Sequence, residues 1–74
     1  MLGKVLTVTA QSYLYGLSGV VTATENGVIT LRILVDEPNT GNLVAGEVEI
    51  QVFSNQIKPA STEIVARYRA GRST

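Results

Sequence analysis

Cysteine, histidine and tryptophan are absent from these 74 residues. Without cysteine there is no disulfide, no thiolate nucleophile and no Cys-based zinc site, and without histidine the usual general base near neutral pH is gone. The chain is therefore read as non-enzymatic, with no cofactor and no metal centre. A chain without thiols is equally suited to reducing and oxidising compartments, so cysteine usage does not mark its location. Charge is also scarce: six Lys and Arg balance six Asp and Glu, and charged residues make up 16% of the chain against a usual ~25%. Domains built to hold nucleic acid are ordinarily basic, so binding to RNA or DNA at physiological salt is not expected. Long apolar runs are missing too, since the longest, residues 28–35, is broken by Arg32. With no signal-peptide pattern and no membrane span, the expectation is a soluble protein of the cytoplasm or of a virion.

What is present is strand-forming. Val, Thr and Ile fill 23 of the 74 positions, which predicts an all-β fold in a single domain. A core of this size rarely supplies more than ~3–5 kcal/mol, and disulfides and metals are excluded, so association with itself or with other subunits is the expected source of further stability.

Alternation of period two predicts a first strand over residues 3–10, with Leu6, Val8 and Ala10 on one face. A loop with Tyr13, Tyr15 and Gly16 follows and is predicted to end at Gly19. A second strand runs to Glu25, and Asn26-Gly27 between two β-branched runs predicts a type I′ hairpin. In the third strand, residues 28–35, Ile29, Leu31, Ile33 and Val35 are expected to face the core, and Arg32 to reach solvent or a carboxylate. A nine-residue connection rich in turn formers leads to Val44. Residues 46–54 form the fourth strand, with Val48, Ile50 and Val52 inward and Glu47, Glu49 and Phe53 outward. Residues 55–59 read as a short turn ended by Pro59. Outer faces are expected to expose Val5, Val28 and Leu34, a surface suited to burial against a partner. The tail, residues 61–74, fits a helix capped by Ser61 and stopped at Gly71, or else a further strand.

Short strands, a glycine-bearing first loop, an Asn-Gly hairpin and a single turn before the last segment resemble an SH3-like small barrel of about five strands over residues 1–60. The run Tyr13-Leu14-Tyr15-Gly16-Leu17-Ser18-Gly19-Val20-Val21 resembles the KOW motif, in which a strand leads into a glycine-containing loop and then Gly-x-Val. The chain is also similar to the electron-transfer accessory subunits of photosynthetic complexes, which share the barrel and an aromatic first loop. KOW resemblance implies docking on ribosomal RNA, RNA polymerase or another large assembly, through Tyr13, Tyr15, Gly16 and Gly19.

No Lys or Arg occurs between residues 5 and 31, so the tyrosine pair is better read as a protein contact or as a cover for the barrel end. Arg67, Arg69 and Arg72 hold half of the positive charge; they suit an acidic partner surface or phosphates, or simply the helix C-terminus. Glu47 and Glu49 resemble a catalytic pair only in spacing and are read as solvated charges. Asp36, Glu37 and Asn39 are read as turn residues. The expected protein is a binding or structural subunit that self-associates or docks on a virion or multisubunit complex. The alternative is a KOW-like RNA, ribosome or polymerase binder.

Overall fold

A computed structural model describes residues 2–10 and 13–72. Five strands occur in the order β1 (Val5–Val8), β2 (Ser18–Glu25), β3 (Val28–Asp36), β4 (Leu43–Phe53) and β5 (Ile57–Pro59). A single 3-10 turn, Ser54–Gln56, separates β4 from β5, and the helix α1 (Thr62–Arg72) follows β5. The strands form one antiparallel sheet ordered β4-β3-β2-β1-β5. This is the small, mostly β fold expected from composition, and the ambiguous tail is helical. The Ser61 hydroxyl accepts the Ile64 N–H at 3.3 Å, the N-cap bond expected of that residue. Among the described residues no helix is long and apolar enough to cross a membrane.

The fifth strand lies where the sequence reads as a turn. Leu6 pairs with Pro59 and Val8 with Ile57, and Pro59 is tolerated because β5 is an edge of the sheet. β4 begins three residues before its expected start, so the connection from β3 shortens to residues 37–42. That tight span takes positive φ at Asn39 and Gly41. The hairpin at Asn26 (φ 53°) and Gly27 (φ 81°) has the predicted backbone.

The core gathers Leu6, Val8, Val21, Ile29, Leu31 and Val52, with Leu14, Ile50 and Ile57 packed against it. Here two expectations are corrected. Ile29 and Leu31 are buried, but Ile33 is only half-buried and Val35 is exposed; Val48, expected inward, is 63% exposed. The cause is a break in register. Arg32 pairs with Glu49 but Leu34 pairs with Ala45, so β4 advances four residues where β3 advances two. Inserted residues disrupt the ladder and increase twist, which ends the simple in-out alternation on both strands.

Val5, expected outside, is buried, as are its pairing partner Val20 and Leu43 at the start of β4; Val28 and Leu34 are half-buried. For Val5 and Leu43 the reason is α1, whose Val65 and Tyr68 share a cleft with Val5 and which packs on β4. Gly71 is not the helix stop but lies inside α1. A Cβ there would collide with the carbonyl oxygen of Leu43 and press on Val44 Cγ1. Glycine is required for this approach of helix backbone to strand backbone.

Candidate functional site

Backbone bonds shape the described part of the loop between β1 and β2. Gly16 N–H donates to the Val8 carbonyl at 3.0 Å, and Leu17 N–H donates to the Leu14 carbonyl at 3.1 Å. The second closes a turn in which Gly16, at φ 86°, takes the position that demands positive φ. Leu14 turns in to the core, so the residues on either side turn out: Tyr13 is 93% exposed and Tyr15 65%. Gly19 belongs to β2 instead of the loop, where a Cβ would sit 3.0 Å from both Arg32 O and Leu31 Cβ, so its role is close strand packing.

The three arginines of the tail are separated by the helix. At 100° per residue, Arg67 lies nearly opposite Arg69, whereas Arg69 and Arg72 are neighbours three apart. The Arg67 Nη2 donates to Asp36 Oδ1 at 2.6 Å and its Nε to the Gly41 carbonyl at 2.7 Å, which ties α1 to the end of β3 and the following loop. Arg69 and Arg72 line the cleft between α1, β1 and β5, about 350 Å³ in volume, together with Lys4 and Tyr68. The Arg72 guanidinium lies 5.8 Å from the Tyr68 ring centroid, within cation–π range. Val5 and Val65 supply apolar wall, and none of the lining residues is acidic. An opening of this kind suits an anionic group attached to an apolar body.

Of the acidic candidates, Glu49, Glu37 and Asp36 have structural partners, and Glu47 is exposed on β4. Glu49 faces Arg32 at 3.7 Å and accepts the Thr22 hydroxyl at 3.2 Å, so the carboxylate expected near Arg32 is there. Arg32 also donates to the Gly46 carbonyl at 3.1 Å, across the register break. Glu37 accepts the Thr40 hydroxyl at 2.9 Å within the turn. Among the described residues no group of three or more acidic side chains is placed to hold a metal ion.

Sequence reasoning missed Lys4, Val65 and Tyr68 as cleft residues. The i, i+3, i+4, i+7 spacing of Val65, Tyr68, Arg69 and Arg72 was a legible signal that these four share a helix face. Lys4 carries no local signal, since only strand pairing brings it beside α1. No family model, curated protein or solved structure matches the chain.

Proposed function

We propose that this protein is a non-enzymatic structural or binding subunit, folded as an SH3-like small barrel, that self-associates or docks on a larger assembly such as a virion or multisubunit complex. The observation that carries the reading is the number of large apolar and aromatic side chains left in water by so small a chain: Leu2, Tyr13, Tyr15, Val48 and Phe53 are all more than half exposed. Scattered exposed apolar residues are ordinary, but two tyrosines projected from a hydrogen-bonded turn match the composition of protein interface anchors. The barrel part is supported by strand order, by the long first loop and by the 3-10 turn before β5. Tyr13 and Tyr15 are assigned to the contact with partner subunits.

Sedimentation equilibrium at micromolar concentration tests this. The parent chain is expected to associate, and Tyr13→Ala with Tyr15→Ala to weaken association while leaving the melting transition in place, because neither ring packs in the core. A parent that stays monomeric, alone and with its natural assembly, would rule the reading out.

A further inference from the structure

Buried side chains of the sheet fall on two faces. Leu6, Val8, Val21, Ile29, Leu31 and Val52 form the main core, whereas Val5, Val20 and Leu43 are buried without belonging to it. Cross-strand partners share a face, and the pairs Val5–Val20, Val20–Arg32 and Asp36–Leu43 trace the side opposite Val21, Leu31 and Ile50. On that side Val5 shares a cleft with Val65 and Tyr68, and Leu43 lies under Gly71. α1 covers this second layer, so Leu43 gains its burial while the helix is docked.

The register of β4 decides whether Leu43 reaches that layer. Leu31 pairs with Ile50 and Arg32 with Glu49; continued without a break, the same register sets Val48 opposite Ile33, Glu47 opposite Leu34 and Gly46 opposite Val35. Such a ladder keeps Val48 on the core side with Ile50 and Val52 and leaves Leu43 outside the pairing. Observed instead are Leu34–Ala45, Val35–Val44 and Asp36–Leu43, with Val48 63% exposed. The two registers differ by two residues, an even number, so a slip between them turns no side chain to the wrong face. It exchanges Leu43 for Val48. In the observed register Arg32 donates to the Gly46 carbonyl within the break, and further grip comes from α1, through Arg67 on Asp36 and the Gly41 carbonyl and through Gly71 on Leu43.

We propose that the docking of α1 and the register of β4 form one two-state device. With the helix docked, β4 is held in the broken register that displays Glu47 and Val48. With the helix released, β4 slips by two residues into the unbroken register, which withdraws Val48 into the sheet core and lengthens the connection from β3 to residues 37–44. The longer connection costs little, because loop-closure entropy grows only with the logarithm of length. Exposure of Val48 thereby reports the state of a helix that grips the strand at its other end, and the device operates within one chain, independently of association.

Nuclear magnetic resonance on the full chain tests this, since cross-strand proton contacts read register directly. The parent is expected to show Leu34 against Ala45. Arg67→Ala with Gly71→Leu is expected to release α1, to lower amide protection along the helix by about tenfold or more, and to replace that contact by Leu34 against Glu47. A released helix with Leu34 still against Ala45 would overturn the coupling. Cross-links run the device in reverse and decide the matter should that variant fail to fold or to release α1. The chain has no cysteine of its own, so Leu34→Cys with Glu47→Cys, oxidised to a disulfide, fixes the slipped register, and Leu34→Cys with Ala45→Cys fixes the observed one. The first is expected to lower α1 protection by about tenfold or more and the second to leave it as in the parent. Equal protection of α1 in the two cross-linked proteins, or failure of the first disulfide to form while the second does, would show that register and helix are not linked.

Discussion

Gly71, near the end of α1, sits against the carbonyl oxygen of Leu43, where β4 begins, at a distance that leaves no room for a Cβ. The helix needs such contacts because it buries no residue completely. Its attachment to the sheet includes this backbone approach, the half-buried Ile64, Val65 and Tyr68, and the bonds from Arg67 to Asp36 and Gly41.

Replacing Gly71 by Ala separates helix propensity from helix docking. In an exposed helix interior the change stabilises by up to ~1 kcal/mol. Here the added methyl group must displace α1 from β4, and a net loss of about 1–3 kcal/mol is expected. Urea denaturation measures it as a lowered midpoint at unchanged slope. A Gly71→Ala variant as stable as the parent would mean that α1 does not rest on Leu43.

At the hairpin, Gly27 has φ 81° with open space around it, so a substitution there meets strain and no clash. Gly27→Val is expected to cost more than ~1 kcal/mol and Gly27→Asn much less, because Asn enters the left-handed region more readily. Thermal melts of the pair decide the matter. Equal effects from Val and Asn would contradict the turn geometry.

The Arg67–Asp36 pair is short, but Asp36 is largely exposed, so its contribution is small. Arg67→Met should cost under ~1 kcal/mol, and raised salt should bring parent and variant together. Hydrogen exchange should nonetheless quicken in α1 before it does in β3. Uniform change across the chain would argue that α1 is not separately tethered by this side chain.

Binding to nucleic acid should be negligible at physiological salt. With Arg67 engaged by Asp36, the arginines of α1 are divided between two faces and cannot follow one phosphate backbone together. Any binding at low salt should fall steeply as salt rises and vanish when Arg67, Arg69 and Arg72 are all changed to Gln. Fluorescence anisotropy with single- and double-stranded RNA and DNA provides the measurement. Tight RNA binding that depended on Tyr13 and Tyr15 would instead favour the KOW-like alternative.

Local features are legible in the amino-acid sequence. The scarcity of charge, the β-branched composition, the Asn26-Gly27 turn, the Ser61 cap and the core positions Leu6, Val8, Ile29, Leu31 and Val52 all follow from short-range rules: side-chain period, φ preference, and hydrogen bonds a residue makes within its own turn. Gly16 and the two tyrosines are legible for the same reason, as parts of one local turn.

Other features depend on residues far apart in the chain, and no local pattern encodes them. β5 exists because β1 is available to pair with three residues that alone read as a turn. Val48 and Val35 are exposed because β4 takes two extra residues against β3, a property of the pair that neither strand displays by itself. Gly71 reads as a helix stop until Leu43 is placed beside it, and the three arginines read as one cluster until helical pitch and Asp36 divide them. In this protein the sequence by itself determined which segments are extended, where the chain turns and which side chains prefer burial, since those are decided by local sterics and water. The tertiary structure alone decided register, the docking of α1 and the meeting of Lys4 with Arg69 and Arg72, because each requires the closure of long loops whose entropic cost is offset only when the whole sheet forms.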